Sequence, residues 1–138
     1  MGVSLGLTPT ASLSPFVDLL TASFRMGATG PTEYDCWSLT CEVRRRRGLP
    51  FPTWDEVATS SMGQEPLIFT RLAKPASWSW VLFRMTPLHV GIMLDPRRFM
   101  HITEKLGHGA VESLIRWPWM DRVEGFYEYR VPLHTQPI

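Results

Sequence analysis

Leu88-His89-Val90-Gly91-Ile92-Met93-Leu94, followed shortly by Phe99-Met100-His101-Ile102-Thr103, is the stretch whose reading decides the architecture. In the first run Leu88, Val90, Ile92 and Leu94 alternate with His89, Gly91 and Met93, the period-two pattern of a strand with one aliphatic face. His89 falls on the other face, beside Gly91. In the second run Phe99, His101 and Thr103 share a face. A three- or five-residue hairpin between the runs sets these odd-numbered positions beside His89, because side-chain parity carries across the turn. With Gly91 opposite His101, the two imidazoles become diagonal neighbours, and the missing side chain at Gly91 leaves room for them.

Working outward, Trp78 to Arg84, Ala110 to Ile115 and Gly125 to Val131 are similarly β-prone, with turn signals at Thr86-Pro87, Asp95-Pro96 and Gly107-His108-Gly109. About five antiparallel strands joined as a meander are expected. Upstream the pattern is helical. Ser14 reads as an N-cap, with Pro15 at the first helical position and Phe16, Leu19 and Leu20 on one stripe. Asp35 caps a second helix that runs through Cys36, Leu39 and Val43 and stops at Gly48. Thr53 and Glu56 form a capping box for a third. N-terminal helices packed on a C-terminal antiparallel sheet make an α+β fold, in a single domain over 1–138 with its core over about 14–132.

The chain has 138 residues, 44% hydrophobic and 12% aromatic, enough for one cored domain. A formal net charge of +1 gives no global field for nucleic acid or an anionic membrane, so neither is expected as a partner. Arg44 to Arg47 spread around a helix end and read as a solvated C-terminus favoured by the helix dipole. Cys36 and Cys41 lie about 140° apart around one helix, which disfavours a disulfide, and no zinc-ligand spacing accompanies them. No metal or cofactor is expected. Residues 1–20 lack the basic start of a signal peptide, and the apolar runs fall far short of the roughly 20 residues of a membrane span.

Two imidazoles on adjacent strands suit a nucleophile that needs a base, with His89 as the base and His101 as its orienter. Cys36 is the candidate nucleophile. At a helix N-terminus its thiol faces unpaired backbone N–H groups, which are expected to lower its pKa, and the N–H of Cys36 or Trp37 is available to an oxyanion. Taken singly, a cysteine or a strand histidine is more often structural; the ordered set separates these three from Cys41, His108 and His134. Trp117 and Trp119, around Pro118, are a weaker candidate for a substrate groove against the commoner use in a core.

Tyr34-Asp35-Cys36-Trp37-Ser38-Leu39, Gly48-Leu49-Pro50-Phe51-Pro52, His89-Val90-Gly91-Ile92 and Met100-His101-Ile102 resemble, in order and spacing, the NlpC/P60 family. The resemblance runs from about Phe24 to Arg130 and takes in a closing Gly125-Phe126-Tyr127 strand. It implies a papain-like NlpC/P60 fold and a thiol peptidase with Cys36, His89 and His101 as its catalytic group. Oxyanion or substrate contacts then fall at Phe24, Tyr34, Asp35 and Trp37. Phe24-Arg25-Met26-Gly27-Ala28 stands where relatives carry Tyr-x-x-Gly-Gly, and Ser38 stands where they usually have Gly. Asp-Cys-Trp and the following Gly-Leu-Pro resemble the forms found in tail tips of phages and phage-like particles. That likeness implies peptidoglycan stem peptide as substrate, tail hub or tail-tip proteins as partners, and a place at the virion tail tip after assembly in the host cytoplasm. A structural tail-tip subunit that keeps the fold but turns over weakly is the alternative.

Overall fold

The structure, a computed structural model, describes residues 12–58 and 68–130. A 3-10 helix over Ser14–Thr21 leads into two short strands, β1 (Ser23–Phe24) and β2 (Glu33–Tyr34), and the helices α1 (Cys36–Arg46) and α2 (Trp54–Ala58). Then come β3 (Phe69–Leu72), β4 (Trp80–Phe83), β5 (His89–Met93), β6 (Arg98–Ile102), β7 (Gly109–Ser113), α3 (Trp119–Arg122) and β8 (Val123–Tyr129). The α+β class is as expected.

The local signals explain most of these elements. The Asp35 carboxylate accepts from the Ser38 N–H at 2.8 Å, and the Ser38 hydroxyl accepts from the Asp35 N–H at 3.0 Å, a reciprocal cap that starts α1. Ser38 is therefore more than a small residue tolerated in the first turn. Thr53 and Glu56 close the same kind of box at α2, at 3.0 and 3.2 Å. The first segment differs from expectation. Its N-cap is Leu13 with no side-chain bond, and the turn is 3-10 rather than α. The Ser12 hydroxyl accepts from the Ser14 N–H at 3.2 Å, and the Phe16 N–H bonds the Leu13 carbonyl at 2.8 Å, the tighter winding common in brief pieces.

Strands β3 to β8 form one antiparallel sheet in the order β3-β8-β4-β5-β6-β7. The expected meander holds only from β4 to β7. Strand β8 instead returns to pair with β4, and β3, absent from the sequence reading, pairs outside β8. The reason lies in β4, where Trp80, Val81, Leu82 and Phe83 are all buried. A strand apolar on both faces belongs inside a sheet, with neighbours on both edges. One face, built on Trp80, Leu82, Val90, Ile92, Met100 and Ile102, packs against Leu39 and Val43 of α1 and Phe16 and Leu19 of the 3-10 helix. The other gathers Val81, Phe83, Met93, Phe99 and Leu114, with Trp119 against them. At the β7 edge the backbones nearly touch, since a Cβ on Gly109 would lie 2.1 Å from the Leu19 carbonyl oxygen.

The arginine run forms a solvated helix end only in part, at Arg45 and Arg47. Arg44 is 1% exposed. Arg46 bridges Glu42 and Asp18 at 2.7 and 2.6 Å, and Arg47 lies over the Trp78 ring at 4.5 Å. Arg45, paired with Glu42, and Arg47 remain exposed. The last turn of α1 is wedged against the 3-10 helix and the Trp78 segment, so Arg44 and Arg46 find partners there.

Candidate active site

Cys36 is the first residue of α1, and its neighbours are set by where β5 and β6 part. The paired register between those strands covers only Ile92↔Met100 and Met93↔Phe99. Carrying it one step back sets Gly91 opposite His101, but no bridge continues to His89 or Val90. The backbone N–H groups of Val90, Trp37 and Cys36 instead act electrostatically on the Cys36 sulfur, each favouring its thiolate. The head of α1 thus lies against the residue that follows His89. A glycine at 91 serves this arrangement differently from the expectation. An added Cβ would meet the Phe99 ring at 3.1 Å and the Met100 carbonyl at 3.2 Å, so Gly91 lets β6 and its aromatic approach rather than clearing space for the imidazoles directly.

His89 and His101 are joined, with His89 Nε2 and His101 Nδ1 2.7 Å apart. His101, fully buried, continues through Nε2 to Glu112 Oε2 at 2.5 Å, and the other Glu112 oxygen accepts from the Trp119 indole N–H at 3.0 Å. Phe83 stacks on His89 at 5.9 Å, while Phe99 and Trp119 meet the His101 ring edge-on at 4.8 and 5.0 Å. Every ring in the group is therefore locked by packing. Among the described residues His89 Nδ1 has no hydrogen-bond partner and no fully buried side-chain nitrogen or oxygen lacks one, so Nδ1 is the part of this ring that keeps some exposure.

Burial dominates the electrostatics. It pushes the Cys36 thiol up, with the Asp35 carboxylate adding to the rise and the three N–H groups opposing it. The expected net lowering at the helix N-terminus is overturned, because removing the sulfur from water outweighs a half-unit dipole charge. His89 is pushed down to about 3, first by burial and then by His101. His101 is lowered by burial, with Glu112 working against the shift. At neutral pH Cys36 is therefore a thiol and His89 a neutral imidazole.

Acid should therefore weaken the fold through these histidines. In the unfolded chain they protonate near the ordinary value of 6.5, whereas folded His89 resists to about 3. Their contribution is fully present above about pH 6.5 and is lost as pH falls toward about 3. Urea unfolding of the wild type should show a midpoint falling over that window, with a shallower fall in His89→Gln. Equal slopes for the two proteins would mean that His89 titrates normally.

The other expected contact residues are occupied in the scaffold. Asp35 spends its two carboxylate oxygens on the N–H groups of Ser38 and Gly27. Tyr34 is buried against Gly30, Phe24 packs against the α1-side core, and Trp37 stacks on Trp80 at 5.4 Å. Trp117 and Trp119 separate: Trp117 is 77% exposed, while Trp119 turns inward to Glu112 and His101. Cys41, its thiol pushed up to about 12 by burial, lines a cavity of about 310 Å³ with Trp37, Phe51 and Trp54. Cys36 and the two histidines are not in that lining. The His108 ring bonds the Gly109 carbonyl, and His134 lies outside the described residues. Glu112 was missed by the sequence reading. Its signal was the register of β6 with β7, where Phe99 pairs with Glu112 and His101 with Ala110, making Glu112 a diagonal neighbour of His101.

No protein-family model matches the sequence, and no curated protein matches it. Solved structures do. An NlpC/P60-family protein described as similar to lipoprotein, from Staphylococcus aureus, aligns at 21% identity and a TM-score of 0.57, covering 84% of this chain and 39% of that one. NlpC1 of Trichomonas vaginalis aligns at 16% identity and 0.56, covering 79% and 40%, and NlpC2 of the same organism at 17% and 0.58, covering 84% and 44%. The fold is that of NlpC/P60 proteins. This chain spans about two-fifths of the length of each of these structures. Among the described residues no helix is long and apolar enough to cross a membrane.

Proposed function

We propose that this chain is a cysteine peptidase or amidase that cuts peptidoglycan stem-peptide bonds, acting at the tail tip of a phage or phage-like particle to open the wall locally. The observation that carries the reading is the sulfur at the head of α1, set against the strand whose His89 is tied to His101 at 2.7 Å. As the thiol attacks the amide carbonyl, its proton passes to His89 and a carbon–sulfur bond forms. The N–H groups at the start of α1 stabilise the oxyanion. Collapse breaks the carbon–nitrogen bond, with His89 returning the proton to the departing amine. His89 then takes a proton from water as its oxygen bonds the thioester carbon; the carbon–sulfur bond breaks, the sulfur recovers the proton from His89, and the carboxylic acid is released. His101 holds the His89 ring throughout.

The substrate and setting rest on the Asp-Cys-Trp and Gly-Leu-Pro segments, and the partners are tail hub or tail-tip proteins. Two observations favour a second reading, a structural tail-tip subunit with weak turnover. Burial keeps the resting thiol protonated, and Phe24 stands where relatives carry a tyrosine hydroxyl. Purified sacculi separate the two. The enzyme should release stem-peptide fragments carrying new amino termini, visible by mass spectrometry. Folded protein that yields none, at any pH between neutral and mildly alkaline, would leave the structural subunit as the function.

A further inference from the structure

We infer that Glu112 is a positioning residue whose carboxylate, held by the Trp119 indole, fixes the proton on His101 Nε2 and so leaves Nδ1 of His89 bare to receive the proton of Cys36. The step to catalysis rests on the peptidase reading above; the proton arrangement itself does not.

The argument is one of donors and acceptors. A carboxylate only accepts, so the 2.5 Å contact of Glu112 Oε2 with His101 Nε2 requires a proton on that nitrogen. A neutral imidazole carries one proton, which leaves His101 Nδ1 as a lone pair. That lone pair lies 2.7 Å from His89 Nε2, so His89 must donate there. The single proton of neutral His89 is thereby placed on Nε2, and Nδ1 is the basic atom. The links run across neighbouring strands from β5 to β6 to β7, with Glu112 a diagonal neighbour of His101 in the paired register and His89 joined to His101 where β5 and β6 part. Burial holds both histidines neutral, which makes the sequence of donors unambiguous.

Glu112 is itself oriented. Oε1 accepts from the Trp119 N–H at 3.0 Å, and that indole also packs on Phe83 and Phe99 at 5.1 and 5.3 Å. The carboxylate therefore cannot swing away without stranding a donor. A carboxamide in its place has a donor and an acceptor end, and no longer dictates which nitrogen of His101 is protonated.

The test reads tautomers as well as rates. In the full chain labelled with 15N-histidine at neutral pH, wild-type His89 should show a protonated Nε2 and a bare Nδ1. In Glu112→Gln a second population protonated at Nδ1 should appear. Stem-peptide cleavage should lose roughly tenfold or more in kcat with KM little changed, and Glu112→Asp should recover part of the loss. An unchanged His89 tautomer in Glu112→Gln would overturn the inference. So would a wild-type His89 already protonated at Nδ1, a measurement that decides the matter even if Glu112→Gln fails to fold. Absence of cleavage by wild-type protein would remove the peptidase reading and leave the tautomer result standing.

Discussion

Cys36→Ala is expected to leave the protein folded and to lower stem-peptide cleavage by roughly a thousandfold or more, to the background of uncatalysed hydrolysis. Both halves follow from its place. The residue is only half-buried, and alanine is the best helix former, so the first turn keeps its Asp35–Ser38 cap without strain. Stability should change by less than about 1 kcal/mol. Chemistry has no substitute for the sulfur. Cys41, five residues on, lies in the lining of the cavity beside Trp54, and its thiol stays protonated far above neutral pH. Cys41→Ala should therefore cleave like the wild type. Thermal unfolding and timed fragment release from sacculi measure the two quantities together. A Cys36→Ala protein that releases the same fragments at a comparable rate would remove Cys36 as the nucleophile.

The resting state bears on how that experiment is run. With the Cys36 thiol raised by burial and His89 neutral, no ion pair is held in reserve, so alkylating reagents should modify Cys36 slowly near pH 7 and faster as pH rises. Substrate binding changes the terms. On the peptidase reading, a peptide that fills the space above Nδ1 of His89 would bring the carbonyl whose developing charge the N–H groups at the head of α1 stabilise. Slow alkylation without substrate is therefore compatible with a working peptidase.

What the sequence made legible follows the range of each signal. Strand parity is local, so the shared face of His89 and His101 could be read from two short runs, and the Asp35 and Thr53 caps from three-residue spacings. Strand order is not local. Nothing in Val123–Tyr129 announces that it returns to β4 rather than following β7; the information sits in β4, whose four buried residues demand a neighbour on each edge. Glu112 fell between these cases. Its partner was identified, but reading it required carrying the register through a second hairpin. The thiol's pKa was misjudged for a different reason. A helix terminus is visible in sequence, whereas burial of the sulfur depends on how α1 meets the parted ends of β5 and β6.

Arg44 shows the same limit most sharply, and its removal should be the costliest change to stability. As one of four consecutive arginines at a helix end it looks interchangeable with its neighbours. In the structure its buried guanidinium ties two chain segments to α1: Nε and Nη2 donate to the Pro50 carbonyl at 3.0 and 2.6 Å, and Nη1 donates to the Trp78 carbonyl at 2.7 Å. Its plane lies 4.4 Å over Trp80, whose own N–H is held by Thr40 at 2.8 Å, and Nη2 reaches Glu128 of β8 at 2.8 Å. Arg44→Met keeps the apolar stem but strands those carbonyls. The ion pair contributes less than its distance suggests, because the Glu128 side chain is 40% exposed and can return to water. The loss should still be about 3 kcal/mol, from two carbonyls left without a donor and the cation stacking lost on Trp80. Arg44→Lys should recover only a minor part, since one ammonium cannot reproduce a fork that bonds two carbonyls while stacking on an indole. Urea denaturation with the slope held in common measures both. A cost below about 1 kcal/mol for Arg44→Met would mean that the Pro50 and Trp78 carbonyls find water, and that α1 is fixed against the sheet by its apolar face alone.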